Sequence, residues 1–303
     1  MKNNIILFLK GLAMGAANVI PGVSGGTIAL ITGIFERLIN AIKAFDVEAI
    51  RLLFKGKIKD LWQKVDGTFL VMVFAGIAIS ILSIARLFKS VMESESGTTL
   101  LMAFFFGLIL VSIFAVGATV KKWSIGPIIA LVVGLLIAVG IALISPASEN
   151  SAIWYLVICG VVAMCSMILP GLSGSFVLII MGNYKLVMVD AVSDLNINIL
   201  IPVAIGAVAG LIAFARILSW VFARYHDLTI ALMTGFIAGS LVTIWPWKTP
   251  IRETFGEKVK VVGYEGWNMP DFGDTNTFYA LGLIVLGGLV IWGMEKAAKR
   301  FAD

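Results

Sequence analysis

The chain has 303 residues, of which 60% are hydrophobic and only 14% are charged. In soluble domains about a quarter of the residues are charged, so this composition excludes an ordinary soluble protein and indicates an integral membrane protein. The formal net charge of +5 comes from basic residues in the loops between apolar segments. It therefore favours anionic membrane lipids as partners, and not nucleic acid.

The first apolar segment is interrupted in its middle. Apolar runs at Ile5–Ile20 and Thr27–Phe35 flank Pro21–Gly26, which contains one proline and three glycines. A helix does not continue through such a stretch, because proline lacks an N–H donor and glycine costs about 1 kcal/mol. In hydrocarbon, an interrupted backbone is tolerated only inside protein or beside a water-lined cavity. The sequence thus predicts a broken helix enclosed at membrane depth.

The same break occurs a second time, at Met167–Phe176. Both copies are followed at the same distance by a Gly-x-aromatic triplet, Gly33–Phe35 in the first copy and Gly182–Tyr184 in the second. A duplicated break at membrane depth is the best sequence indication of a transporter's binding site.

Apart from the broken segments, six apolar runs approach the roughly 20 residues needed to cross a bilayer. They are Phe69–Ala85, Thr99–Ala118, Ile125–Ile144, Ile199–Trp220, Leu228–Trp245 and Phe278–Trp292. Each half thus contains one broken segment and three spans, which predicts two repeats at residues 1–145 and 152–303. A further match between the halves, Ile84–Leu87 with Phe214–Ile217, supports the duplication.

Loop charges predict how the repeats are inserted. The loop Glu36–Thr68 is rich in lysine and arginine, and the amino terminus carries Lys2 and Lys10, so the positive-inside rule places both in the cytoplasm. This requires the first broken segment to enter and leave on the same side. We therefore expect an all-α integral membrane protein with an inverted repeat. Each half has a re-entrant helical hairpin plus three transmembrane helices, and both termini are cytoplasmic in the cell membrane.

The breaks offer chemistry suited to an anion. A glycine-rich turn that leads into a short helix leaves N–H donors at the helix start, and the helix dipole favours negative charge there. Hydroxyl and amide side chains beside the turns add further donors, although glycine and serine also serve helix packing. The predicted substrate-binding residues in the breaks are Asn18, Gly22, Ser24, Gly25, Gly26, Thr27, Gly171, Ser173, Gly174 and Ser175.

Two arginines in apolar surroundings complete the predicted site. Arg86 and Arg216 each follow an apolar span and precede further apolar residues. Arginine in a membrane span often marks a ligand site, and its planar guanidinium suits phosphate, but it also extends to the headgroups from near a helix end. The sequence leaves open whether the two arginines clamp the substrate or extend to the headgroups.

The cytoplasmic loop at Ala41–Trp62 mixes large apolar residues with lysines. This pattern indicates either a helix lying in the membrane interface or a soluble connector, and the sequence does not separate the two.

Asn18–Thr27 and Leu169–Ser175 resemble the paired signatures of the bacterial and archaeal polyprenyl-phosphate transporter family, long known only as a domain of unknown function. The resemblance covers nearly the whole chain, and the breaks match the family motif position by position. It implies a flippase that returns undecaprenyl phosphate, the lipid carrier of cell-wall precursors, from the outer to the cytoplasmic leaflet. The prediction that Arg86 and Arg216 belong to the site comes from the internal repeat and from physical argument, and not from the resemblance.

The residues alone predict an anion transporter. Two other functions are alternatives to transport of a polyprenyl phosphate. One is a secondary transporter for a small soluble anion. The other is a membrane enzyme acting on lipid phosphates. A single histidine, His226, and no paired intramembrane carboxylates argue against such an enzyme. We expect no cofactor and no metal, while the sequence leaves a coupling ion, the polyprenol length and the oligomeric state open.

Overall fold

The computed structural model of the protein describes residues 2–19, 24–92, 94–255 and 258–300. The first half contains eight helices within this part of the chain: α1 (Lys2–Val19), α2 (Gly25–Ile31), α3 (Phe35–Lys43), α4 (Val47–Phe54), α5 (Ile58–Lys64), α6 (Gly67–Met92), α7 (Glu95–Gly117) and α8 (Ile125–Leu143).

The second half follows the same order up to its last loop. Its helices are α9 (Ile153–Ile168), α10 (Gly174–Ile180), a π-helical segment (Lys185–Asp190), α11 (Ala191–Ser193), α12 (Ile197–Arg224), α13 (His226–Ser240) and α14 (Thr275–Arg300). The strands β1 (Lys248–Phe255) and β2 (Lys258–Trp267) lie between α13 and α14.

The protein is helical and membrane-spanning in character, as predicted. Four helices in the described part of the chain are long and apolar enough to cross a bilayer: 96–117, 125–143, 197–224 and 275–293. The other two predicted spans also form helices, α6 and α13. α13 has 15 residues and then continues through tight turns at 241–243, so it is shorter than the predicted run.

The two-stranded sheet is a departure from the all-α prediction. β1 and β2 pair in antiparallel fashion, with Phe255 opposite Lys258 at the turn. Its signal is present in the sequence: Lys258-Val259-Lys260-Val261 alternates polar and apolar residues with the period of a strand. The strands contain many charged residues and no long apolar run, so apolar runs alone do not predict them.

Most of the interhelical packing is in four helix pairs, and these pairs correspond between the halves. α1 packs on α6 as α9 packs on α12, while α7 packs on α14 as α8 packs on α13. The second set joins the two halves, because α7 and α8 belong to the first half and their partners to the second. Neither half therefore has a complete core of its own.

Glycines let the backbones approach closely in every one of these pairs. A Cβ atom at Gly134 would lie 2.2 Å from the Leu232 carbonyl oxygen, and one at Gly287 would lie 2.0 Å from that of Phe104. Small residues at such contacts are typical of membrane helices, whose association depends on close packing. Further glycine-to-carbonyl approaches of this kind are Gly11 to Val73, Gly160 to Val203, Gly76 to Phe8, Gly206 to Val157, Gly107 to Ile284 and Gly235 to Leu131.

Two glycines of α8 provide a matched test of this packing. Gly134→Ala should lower the free energy of unfolding by about 1–3 kcal/mol, because the added methyl group forces α8 away from α13. At Gly140 nothing lies within 4 Å of an added Cβ atom. Gly140→Ala should therefore be neutral or stabilising by up to about 1 kcal/mol. Thermal unfolding in detergent measures both, and equal melting temperatures would refute the close contact.

Candidate functional site

The two chain breaks contact each other directly. The Gly171 N–H donates to the Thr27 hydroxyl oxygen at 3.0 Å, and the Ser24 hydroxyl donates to the Leu169 carbonyl at 3.4 Å. Thr27 and Ser24 are only 0% and 3% exposed. The breaks that the sequence singles out are thus joined by hydrogen bonds between buried groups, although residues 20–23 of the first break, including Gly22, lie outside the described residues.

The first break satisfies its own amide donors. The Gly25 N–H donates to Asn18 Oδ1 at 2.7 Å, and the Gly26 N–H donates to Ser24 Oγ at 3.2 Å. The Thr27 N–H donates to the Ser24 carbonyl at 3.0 Å. The unpaired amides expected at the start of α2 are therefore paired, because Ser24 caps the helix and the Asn18 side chain folds over it.

The second break is built differently. Gly171 has φ +81°, and a Cβ atom there would lie 2.5 Å from the Phe236 carbonyl oxygen, so both conformation and space require glycine. Ser173 precedes α10 but makes no side-chain cap. Its hydroxyl instead pairs with that of Ser175 at 3.0 Å. Ser175 is exposed, so the hydroxyl pair before α10 lies at a surface, while Ser24 and Thr27 do not.

A cavity of about 590 Å³ lies beside the first break. Its side walls are apolar and come from α3, α6, α9 and α12, and at one end it reaches Asn18, Gly25 and Gly26. Its apolar lining consists of Met14, Phe35, Leu38, Ile39, Ile42, Phe45, Leu70, Val71, Phe74, Ile77, Met164, Met167, Ile168, Val208, Leu211 and Ile212. The polar side chain in this lining is that of Asn18.

Asn18 therefore has two separate hydrogen-bonding groups at the cavity. Its Oδ1 atom accepts from Gly25, and in the described part of the chain its Nδ2 group has no acceptor. The site can thus hold an apolar molecule against its walls and present one amide donor to it.

Arg216 is not among the described residues that line this cavity. The Arg216 side chain is exposed on α12, one turn beyond the cavity-lining Ile212. The Arg86 backbone belongs to α6, but its side chain lies outside the described residues. Of the predicted residues, the structure brings together Asn18, Ser24, Gly25, Gly26, Thr27 and Gly171, with Ser173, Gly174 and Ser175 following directly in the chain.

Comparison with known proteins agrees with the arrangement of motifs. Residues 14–261 match the model of a family described as undecaprenyl phosphate translocase-like (VCA0040-like). The chain belongs to this family. It is 35% identical to a polyprenyl-phosphate transporter of Vibrio cholerae over 308 residues, which cover 98% of each chain. It is also 29% identical to a polyprenyl-phosphate transporter of Staphylococcus aureus over 263 residues, covering 80% of this chain and 86% of the relative. No solved structure matches.

In this member of the translocase-like family, polar side chains of α3, which also lines the cavity, contact α12 and the start of α13. Lys43 Nζ lies 3.1 Å from Ser219 Oγ, which donates to Asn40 Oδ1 at 2.9 Å. At the other end of α3, Glu36 Oε1 lies 3.4 Å from His226 Nε2. We call these polar contacts the α3 latch. Because they are exposed, each contributes little stability, of the order of 1 kcal/mol or less.

Two donors outside the predicted site connect the two helices of each broken segment. Lys10 Nζ donates to the Thr32 carbonyl at 2.6 Å, and the Tyr155 hydroxyl donates to the Met181 carbonyl at 2.9 Å. Thr32 and Met181 cap the C-termini of α2 and α10. Each donor thus satisfies a carbonyl that the helix end leaves open. A lysine within the first apolar run was the available signal.

A second cavity, of about 320 Å³, is polar and lies between the starts of α7 and α14 and the two-stranded sheet. Its lining includes Lys248, whose Nζ lies 3.4 Å from the Val242 carbonyl oxygen. Burial lowers the pKa of Lys248 to about 6. This amine is therefore mostly neutral at neutral pH.

The Thr27 hydroxyl provides a test of the contact between the breaks. Thr27→Val preserves shape but removes the acceptor for the Gly171 N–H, so it should lower the free energy of unfolding by about 1–3 kcal/mol. Thr27→Ser keeps the hydroxyl and should lose less. Thermal unfolding in detergent distinguishes them, and a valine variant as stable as the serine variant would contradict the contact.

Lys248 provides a test by pH. Its folded pKa of about 6 is below the ordinary 10.5, so the unfolded chain binds more protons between these values. Stability should therefore rise with pH across this window, by at most about 1.4 kcal/mol per unit. Lys248→Met should flatten the rise, whereas Lys185→Met, at an exposed position, should not. Melting temperatures from pH 6 to 9 measure it, and an unchanged slope in Lys248→Met would overturn the assignment.

Proposed function

We propose that this protein is a flippase that returns undecaprenyl phosphate, or a related polyprenyl phosphate, from the outer to the cytoplasmic leaflet by alternating access. The observation that carries the proposal is the apolar cavity that ends at Asn18, in a chain whose relatives are named polyprenyl-phosphate transporters. A polyprenyl phosphate has the matching chemistry, because it joins a long apolar chain to one anionic headgroup.

The lipid chain occupies the cavity and leaves it between α6 and α12. Val71 and Phe74 on α6 and Val208 on α12 belong to the cavity lining and are also exposed on the surface of the protein. Such residues suit a lateral opening to the bilayer, through which the rest of a long polyprenol stays in lipid. Burial of apolar surface then favours binding by about 25 cal/mol per Å².

The phosphate binds at the polar end, where the two breaks meet. Asn18 Nδ2 is a donor at the cavity, and the exposed Ser173–Ser175 hydroxyl pair is the corresponding donor group at the second break. Gly25, Gly26, Ser24 and Thr27 hold this end in shape through their internal hydrogen bonds. Gly171 and Gly174 let the second break pack closely on the Phe236 and Ala163 carbonyls, and we assign Gly22 to the same end. Because Arg216 lies outside the cavity, we assign it to the headgroup's passage between leaflets, with Arg86 as its counterpart.

Alternating access rests on an inverted repeat of residues 1–145 and 152–303. The correspondence of helix pairs and of glycine contacts between the halves supports it. The Lys10–Thr32 and Tyr155–Met181 hydrogen bonds support two re-entrant hairpins, because each brings the end of the second helix back beside the first, at the middle of α1 and near the start of α9. The α3 latch closes the cytoplasmic side, and the headgroup is released there when the latch opens.

The alternatives are less well supported. A small soluble anion would gain no favourable contacts from the apolar walls of this cavity. A membrane enzyme acting on lipid phosphates would need a nucleophile or general base at the polar end, where the described side chains are Asn18, Ser24, Thr27 and the second serine pair. The names of the family and of the relatives also indicate a transporter.

Flipping of a fluorescent polyprenyl phosphate analogue in proteoliposomes tests the proposal. Asn18→Asp keeps the acceptor for Gly25 but replaces the Nδ2 donor by a negative charge, so it should slow flipping at least about tenfold, the value of a lost 1.4 kcal/mol. Ile212→Trp should fill the cavity and slow flipping similarly. Leu136→Trp, at an exposed position of α8 that is not part of the cavity lining in the described residues, is the control and should flip normally.

Two results would contradict the proposal. One is normal flipping by both Asn18→Asp and Ile212→Trp. The other is uptake of inorganic phosphate by the wild-type protein without any flipping of the lipid analogue, which would favour a transporter of small anions.

A further inference from the structure

The segment that joins α3 to α6 presents a continuous apolar surface to the outside. Large apolar side chains of α4 and α5 are exposed, and that of Phe54 is 87% exposed. Val47, Ile50 and Phe54 follow at the spacing of one helix face, so they form a stripe along α4. We call this surface the α4–α5 platform; its exposed apolar residues are Val47, Ile50, Leu53, Phe54, Ile58 and Trp62.

The platform is fixed to the body of the protein by its other side. Asp46 caps α4 through the Ala49 N–H at 2.9 Å and also pairs with Lys64 Nζ at 3.1 Å. Ala49 is buried, and the Trp62 indole donates to the Thr68 hydroxyl at 3.0 Å. These contacts hold the segment in one position while its apolar stripe stays exposed. The stripe is therefore available to a partner outside the chain.

The orientation of α5 fits a bilayer surface. α5 and the following part of α6 are bent by 69° relative to each other. If α6 crosses the membrane, α5 lies nearly in the membrane plane. A helix in that orientation with one apolar face is typical of segments that insert that face to the depth of the headgroups.

The charge of the platform selects the kind of lipid. Lys64 is engaged by Glu48 and Asp46, and the hydrogen bond to Glu48 is the main cause that raises its pKa. The remaining basic residues beside the apolar stripe are exposed: Arg51, Lys55, Lys57 and Lys59. Each basic side chain near an anionic surface contributes attraction, whereas a neutral surface offers none.

From these contacts and charges we propose that the α4–α5 platform docks on the anionic headgroups of the cytoplasmic leaflet, with its apolar stripe inserted and its lysines at the phosphate level. Ile42 of α3 lines the cavity, and so does Phe45 in the short connection that leads from α3 into α4. The lipid surface thereby holds one wall of the cavity in place. This last consequence rests on the proposed function, whereas docking itself does not.

Photocrosslinking of the full chain in nanodiscs tests the docking. Benzoylphenylalanine replaces Phe54 in one variant and Gln63, an exposed polar position of α5, in the control. In nanodiscs that contain equal amounts of phosphatidylglycerol and phosphatidylcholine, mass spectrometry should find lipid adducts at position 54, enriched in phosphatidylglycerol roughly threefold or more. Position 63 should give few lipid adducts.

A charge variant makes the test specific. The combined substitution Lys55→Gln, Lys57→Gln and Lys59→Gln should bring the enrichment at position 54 close to one, and Lys121→Gln with Lys122→Gln, in another loop, should leave it unchanged. Adducts to a second copy of the chain, no adducts at position 54, or equal enrichment in both charge variants would each overturn the proposal. These readouts do not involve flipping, so loss of docking and loss of the proposed transport are distinguished.

Discussion

The structure depends on the hydrogen bond between Thr27 and the Gly171 amide. Within hydrocarbon neither water nor lipid satisfies the backbone groups of an interrupted helix, and an unpaired N–H costs several kcal/mol there. The two breaks meet this constraint by using each other: a side chain of the first accepts from the backbone of the second. Each break thus helps to satisfy and position the other, and the cavity beside them is lined by residues from both halves of the chain.

This constraint also explains why the two breaks differ. The first is closed by Asn18, Ser24 and Thr27, which take up the donors at the start of α2. The second leaves a pair of serine hydroxyls at a surface and places Met167 where the first has Asn18. Under the proposed function, the first copy is mainly structural, and the donors to the phosphate are Asn18 at its edge and the serine pair of the second copy.

The sequence predicted much of the fold because apolar runs and helix breakers act locally. The six spans form helices, and the duplicated Pro-Gly motifs mark two breaks that come together. The amide pairing at α2 was not predictable, because it depends on how the Asn18 side chain folds back over Gly25. A role of Arg216 at the substrate stays a prediction: spacing along a helix does not reveal which face is exposed, and the structure shows only that its side chain is exposed. The strand pair was hidden in a loop rich in charged residues.

The packing of α7 on α14 has a consequence for how the protein is made. α7 ends at Gly117 and α14 begins at Thr275, so a ribosome working at about 5–20 residues per second completes the partner roughly 10–30 s after α7 has entered the membrane. During this interval the glycine-lined face of α7 has no partner from its own half. The nascent chain therefore needs lipid or the insertion machinery to shield that face, and a truncated chain that lacks α14 never buries it.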